Sequence, residues 1–408
     1  MKLQKQTVNQ VPIERKTVLV RADYNVPLGA DGSIRDDLRI RASLPTLKYL
    51  MQHDCKVVVI SHLGRPDGRP SRKESLKPVA ARLSELLGAP VSFVNDCIGE
   101  RVSHTVQKTG PGEVVLLENL RFYHEEEAND ESFAKALVTA TKARYLVQDG
   151  FGVVHRAHAS TSAITRFIPA VAGLLLQREI ETISTAMRTP KRPLVAILGG
   201  AKVSDKIGVI EAFVHKADKI LIGGAMANTF LAYKQKPVGS SKYETNQDEV
   251  MARIYQAASD KVGVNKVDEF IILPQDVAVG SSIDAQKRHT VQLDDVKKND
   301  RILDIGDHTI TQFCDEVAKA GTVIWNGTLG FAENKTFSHG SARVALALAT
   351  HPSVVSIIGG GDTSDFVLSW GSGDGSEFTH VSTGGGASLE LMAGKKLPGI
   401  EALLDAQK

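Results

Sequence analysis

Cysteine is scarce: Cys55, Cys97 and Cys314 are the only three in 408 residues, and no Cys-x-x-Cys pair occurs. That excludes a disulfide framework and a cysteine-based zinc site, and it describes small buried hydrophobes in a reducing compartment. Charge of one sign is scarce too. With 49 Lys and Arg against 47 Asp and Glu, the formal net charge is only +2. No broad basic field exists for nucleic acid, so no such partner is expected and any anion binding must be local. Long hydrophobic runs are missing: the longest, 170–176, is far too short to cross a bilayer. The start, Met1-Lys2-Leu3-Gln4-Lys5-Gln6-Thr7, lacks the apolar region of a signal peptide. The expectation is a soluble cytoplasmic protein with no membrane partner.

Two familiar phosphate-binding signatures are also missing. The Gly394-Lys395 pair has Leu389 where a G-x-x-x-x-G-K-[ST] loop needs its first glycine. No G-x-G-x-x-G follows a strand-like run, and Gly371-Ser372-Gly373-Asp374-Gly375 reads as a polar turn after Trp370.

What is present is a chain too long for one comfortable core, so two domains of about 200 residues are expected. Short β-branched runs recur at 17–21, 56–61, 114–117 and 144–147, then at 194–198, 219–222, 270–273, 322–325, 354–358 and 380–382. Near-continuous apolar strands are buried on both faces, which predicts mainly parallel sheets covered by helices. Helical patterns lie between them, as at 76–87, 131–141 and 341–350. The alternation predicts an α/β protein of two doubly wound, Rossmann-like domains facing a central cleft. The boundary is expected near Gly173. Beyond it Leu176, Ile180, Ile183 and Met187 share one helical face, and Thr189-Pro190 and Arg192-Pro193 stop the helix. The expected division is an N-terminal domain of 1–172, a connecting helix at 173–188, a C-terminal domain of 189–388 and a final segment, 389–408.

The two halves carry different anion-binding equipment. In the first, Arg21, Arg39, His62, Arg65, Arg121, His155, Arg156 and His158 gather near strand ends, where doubly wound sheets bind ligands. Fixed arginines suit a small, highly charged anion. His155 and His158 have metal-like spacing, but nothing near them supplies a third ligand. The second half offers glycine turns instead: Gly199-Gly200, Gly223-Gly224, Gly359-Gly360-Gly361-Asp362 and Gly384-Gly385-Gly386. Glycine lets backbone N–H groups close on phosphates, and Asp362 is a candidate Mg²⁺ ligand. Lys202 and Lys206, four apart, are read as sharing a helical face that meets a transferring phosphate. Both sets in one chain predict phosphoryl transfer between two substrates on opposite walls of a cleft.

Together these motifs resemble the phosphoglycerate kinase family over essentially the whole chain. The carrying segments are Arg21-Ala22-Asp23-Tyr24-Asn25-Val26-Pro27, Ser61-His62-Leu63-Gly64-Arg65-Pro66, Leu117-Glu118-Asn119-Leu120-Arg121-Phe122 and Asp149-Gly150-Phe151-Gly152 with His155-Arg156-Ala157-His158. In the second half they are the Gly199 and Gly359 turns, Trp325-Asn326-Gly327 and the stretch from His380 to Glu390. The resemblance implies a monomer that binds 3-phosphoglycerate or 1,3-bisphosphoglycerate on the first domain and Mg-ADP or Mg-ATP on the second. It assigns Asp23, Asn25, Arg39, His62, Arg65, Arg121 and Arg156 to the phosphoglycerate. It assigns Gly200, Lys202, Lys206, Gly223, Asn326, Glu333, Gly359, Gly360, Gly361, Asp362 and Thr363 to the nucleotide, with Asp362 as the metal residue. Arg39, Lys202, Gly384 and Gly385 fall to catalysis, and hinge bending precedes in-line transfer. The final segment is expected to return to the first domain. Departures from the usual pattern at Ala225, Thr328 and Thr363-Ser364-Asp365-Phe366 all lie on the nucleotide side.

The residues fit such chemistry. A carboxylate acceptor is ionised at pH 7, its pKa lying about three units lower, so no general base is required. Two rivals remain at this stage. A kinase acting on a hydroxyl would recast Asp23 as a base, and a non-catalytic binding protein would keep the fold without turnover.

Overall fold

The computed structural model describes residues 3–406. Among them the strands form three sheets. The first sheet is built from β1 (Thr17–Arg21), β2 (Lys56–Ile60), β3 (Val91–Val94), β4 (Val114–Leu117), β5 (Tyr145–Gln148) and β6 (Ala170–Ala172). Its order is β3-β4-β2-β1-β5-β6, and every pairing is parallel. Then follow β7 (Leu194–Leu198), β8 (Lys219–Ile222), β9 (Ile271–Ile272), β10 (Asp276–Gly280), β11 (His289–Gln292), β12 (Arg301–Ile305), β13 (Thr322–Asn326), β14 (Val355–Gly359) and β15 (His380–Val381). The second parallel sheet runs β15-β14-β13-β7-β8-β9. That is the Rossmann order, with its switch point between β7 and β13.

The central strands pair as parallel strands because both faces are apolar. All of Leu194–Leu198 and Thr322–Asn326 is buried, as a strand covered by helices on both sides requires. The sequence reading missed β3, β6 and a small antiparallel sheet, β11-β10-β12, that packs Val277, Val279 and Ile302 over Leu231. It also extended one strand over Phe270, which instead ends the helix Val267–Phe270.

Two compact units result. One comprises the chain up to Glu181 together with the segment from Lys396, and the other is Thr182–Lys395. The division falls inside the single helix Leu174–Arg188. The closing segment is tied into the first unit by main-chain bonds from Gly399 N to Val154 O and Leu404 N to Ala170 O, both 2.9 Å. Leu397, Ile400 and Leu403 are buried there.

Both units fix helix starts with a buried carboxylate at a strand end. Asp149, just after β5, accepts from Leu175 N at 3.0 Å, and Asp304 in β12 accepts from Gly340 N at 2.8 Å. Gly173 and Gly340 are needed here because any side chain would strike the facing carboxylate. Burial raises both carboxyls, Asp149 to about 6 and Asp304 to about 7, against their amide hydrogen bonds.

Candidate active site

In the first unit the carboxyl ends of β1, β2 and β4 bring the predicted cations together. Arg21 ends β1 fully buried, donates from Nε to Ser160 Oγ at 2.8 Å, and lies 3.8 Å from the Glu126 carboxylate. It is thus a cation inside the fold rather than at its surface. Its Nη2 reaches His62 Nδ1 at 3.3 Å. Burial, reinforced by Arg21, Arg121 and Arg39 and only opposed by Asp23, holds the His62 imidazole well below its usual range. His62 is therefore neutral at pH 7.

Asp23 organises the next layer. Burial alone would raise its carboxyl, but Arg39, His62, Arg21 and the Asn25 amide hold it below the usual carboxylate range. Arg39 Nη1 lies 3.7 Å from Asp23 Oδ1 and donates to Asn25 O. Asn25 Oδ1 in turn accepts from Gly64 N at 2.9 Å, which fixes the turn that carries Arg65. That turn is also held by Glu74, whose carboxylate accepts from Arg65 N at 2.9 Å. Arg121 donates to Gly64 O at 2.8 Å and pairs with Glu127 at 3.0 Å. Burial lowers its pKa, and the charges of Arg156 and Arg65 add to the effect. His158 is pushed down to about 3 by burial and by Arg21, Arg121 and Arg156. Arg65 and Arg156 remain exposed at the rim. Cations that depress one another are a preformed demand for an anion with several oxygens.

In the second unit the predicted turns meet at the β7/β13 switch point. Gly199 N bonds Asn326 O at 3.0 Å and Gly200 N bonds Thr328 O at 2.9 Å. Lys206 Nζ donates to Gly199 O at 2.8 Å and Asn326 O at 3.0 Å, so its ammonium ties the two strand ends. Burial lowers it to about 8, against the attraction of Asp362 and Asp205. The expected shared helical face of Lys202 and Lys206 does not form. Ser204–Lys206 is a tight 3₁₀ turn, Lys206 points inward and Lys202 is exposed.

Helices Gly361–Trp370 and Gly385–Met392 start side by side: a side chain at Gly385 would come within 2.7 Å of Gly361 N. Asn326 lies under the turn of Gly359 and Gly360, buried, and its Nδ2 has no hydrogen-bond partner among the described residues. An orphan buried donor beside two helix N-termini has the hydrogen-bonding chemistry that suits a phosphate. Thr363 Oγ1 accepts from Gly327 N at 2.7 Å. Gly223 instead packs on Leu329, and Gly384 N bonds Ser382 Oγ at 3.3 Å.

A cavity of about 490 Å³ opens beside these turns, lined by Gly200, Glu333 and Asp362 among the predicted residues. Ser240, Lys242, Arg301 and Phe331 also line it and were not singled out in the sequence. The only local signal was Gly239, whose positive φ of 57° lets it pack on the Asp300 carbonyl.

Two Rossmann-type units, one ending in a buried cation cluster and the other in glycine-led helix starts around a cavity, define a phosphotransferase. The family model described as phosphoglycerate kinase matches residues 8–395. The phosphoglycerate kinase of Dictyoglomus turgidum is 47% identical over 394 residues, covering 96% of each chain. That of Synechococcus elongatus is 47% identical over 399 residues, covering 97% of this chain and 96% of its own. Among solved structures, the phosphoglycerate kinases of Coxiella burnetii and Pyrococcus horikoshii match with TM-scores of 0.82 and 0.81. They are 35% and 32% identical, with 98% of each chain covered. The chain belongs to the phosphoglycerate kinase family. It transfers a phosphoryl group reversibly between 1,3-bisphosphoglycerate and ADP, giving 3-phosphoglycerate and ATP, a step of glycolysis. Its acceptor in the ATP-consuming direction is a carboxyl group, which removes the hydroxyl-kinase and non-catalytic readings. Among the described residues no helix is long and apolar enough to cross a membrane.

Proposed function

We propose that the cation cluster of the first unit holds the phosphoglycerate and the glycine-lined cavity of the second holds the nucleotide. Asp23, Asn25, Arg39, His62, Arg65, Arg121 and Arg156 bind the former. Gly200, Gly223, Asn326, Glu333, Gly359, Gly360, Gly361 and Thr363 bind the latter, and Lys206 fixes the strand ends on which its phosphates rest. Lys202, Arg39 and the Gly384 and Gly385 amides neutralise the transferring group. In-line transfer follows a hinge movement that excludes water, where fixed charges act most strongly. The observation that carries the reading is the orphan Asn326 Nδ2 beside the adjoining Gly361 and Gly385 helix starts.

Among the described residues no three His, Cys, Asp or Glu gather as ligands for a metal. An exposed carboxylate lining the cavity, Asp362, nevertheless fits Mg²⁺, which takes one or two carboxylates and completes its shell with phosphate and water. When bound, the ion neutralises phosphate oxygens. Asp362 would hold it, and Lys206 supplies a further positive charge near Asp362. We also infer a cytoplasmic monomer, which sedimentation of the purified chain would check.

Calorimetric titrations test the division of ligands. Asp362→Asn should weaken Mg-ADP about tenfold and leave 3-phosphoglycerate unchanged, while Arg156→Ala should do the reverse. Loss of both ligands in either variant would contradict it.

A further inference from the structure

Lys202 is exposed on a turn that has no regular hydrogen-bonded ladder of its own. Lysine carries four rotatable carbons, so where its ammonium points depends first on where its main chain is held. Two opposite charges hold that main chain. From inside, the Lys206 ammonium takes the carbonyl of Gly199. From outside, the Glu244 carboxylate takes the N–H groups that follow Lys202: Val203 N at 2.6 Å and Ser204 N at 3.0 Å, both on Oε2. Its Oε1 accepts from Ser204 Oγ at 2.5 Å. These are charge-assisted bonds to the free amides of a helical start, the strong kind. They hold Glu244 below the usual carboxylate range although its partial burial opposes this.

Glu244 is itself pinned. Its own N–H donates to Thr229 Oγ1 at 3.1 Å, and Asn228 Nδ2 donates to Lys242 O at 3.0 Å. Thr229 and Asn228 lie buried on the helix Gly224–Tyr233, whose Met226 N bonds Gly200 O at 2.9 Å. The route from that helix through Glu244 to the Lys202 turn thus closes back on the glycine pair before Lys202. A loop residue 42 positions further along the chain completes it.

With Val203 N and Ser204 N taken by Glu244, these amides are not free to meet a phosphate. The turn's contribution to the site is therefore the Lys202 ammonium and not its own N–H groups. We propose that Glu244 is a positioning residue for phosphoryl transfer, acting through the main chain of the Val203-Ser204 turn to aim Lys202. This rests on the assignment of Lys202 to the transferring phosphoryl given above.

The test is a double-mutant cycle on the full chain, with steady-state kinetics and thermal melting. Glu244→Ala should lower kcat about thirtyfold, with KM for 3-phosphoglycerate and for Mg-ATP within about threefold. Glu244→Gln, which keeps one oxygen for the two amides, should recover most of the loss. In a Lys202→Ala background Glu244→Ala should cost less than about twofold more. Multiplicative losses in that background, or a Glu244→Ala kcat within twofold of the parent, would overturn the proposal. Near-normal turnover of Lys202→Ala alone would instead remove the Lys202 assignment, and the proposal with it. If Glu244→Ala does not fold, Ser204→Ala carries the same test. It removes one of the three bonds and should cost about fivefold in kcat, an effect that vanishes without Lys202. Persistence of the Ser204 effect without Lys202 would sink the idea equally.

Discussion

The two units gather anion-binding groups by opposite means. The first uses side-chain cations driven partly into the fold: Arg21 and Arg121 are buried, beside a buried neutral His62. Buried charge must be matched, so Asp23, Glu126 and Glu127 come with it. The second uses main-chain amides at helix starts, which need no counterion, and leaves its one candidate catalytic cation, Lys202, in the open. A cation cluster therefore couples its site to the stability of its unit, whereas a glycine site with an exposed lysine separates the two.

That contrast can be broken experimentally, beginning with the largest expected effect. Glu126 is fully buried beside Arg21 and accepts from Ser160 N at 3.0 Å. Glu126→Ala strands the Arg21 guanidinium and should destabilise the first unit by about 4 kcal/mol. Chemical denaturation followed by a probe in that unit would measure it, and an unchanged midpoint would mean the cluster is not stability-coupled. Lys202→Ala should do the converse. Turnover falls at least about a hundredfold, roughly 2.7 kcal/mol of transition-state stabilisation, while melting stays within a degree or two. A melting loss without a kinetic one would reverse the comparison.

A smaller effect comes from Asp149. Its folded pKa of about 6 lies above the ordinary value of 3.8, so the folded state binds the extra proton in between. The contribution is fully present below pH 3.8 and is lost as pH rises through about 6, on the order of 3 kcal/mol. Asp149→Asn, which keeps an oxygen for Leu175 N, should flatten the pH dependence of the first unit's melting across that window. A slope identical to the parent's would exclude Asp149 as its source. Smallest is Arg65→Ala at the exposed rim, which should raise KM for 3-phosphoglycerate about tenfold, with kcat and stability nearly unchanged. A raised KM for ATP instead would contradict the division of ligands.

The sequence alone determined the parallel sheets and much of their extent. Val57, Val58 and Val59, like the apolar run of β7, are buried on both faces, and a continuous apolar run records that environment locally. Glycine turns were legible for a similar reason: Gly360 at φ 92° and Gly385 against Gly361 N sit where other residues do not fit. Strand β11 was not legible, because it is largely exposed and carries little apolar pattern. Only the tertiary structure decided which charges are paired. Arg21 and Arg65 look alike in a sequence, yet one is buried against Glu126 and the other exposed. Lys202 and Lys206 are four residues apart, yet one faces outward and the other binds two carbonyls. Glu244, with no motif around it, became significant because a helix and a loop brought it to the Val203 amide. Burial and pairing depend on residues distant in the chain, and a local pattern cannot encode a partner that only folding supplies.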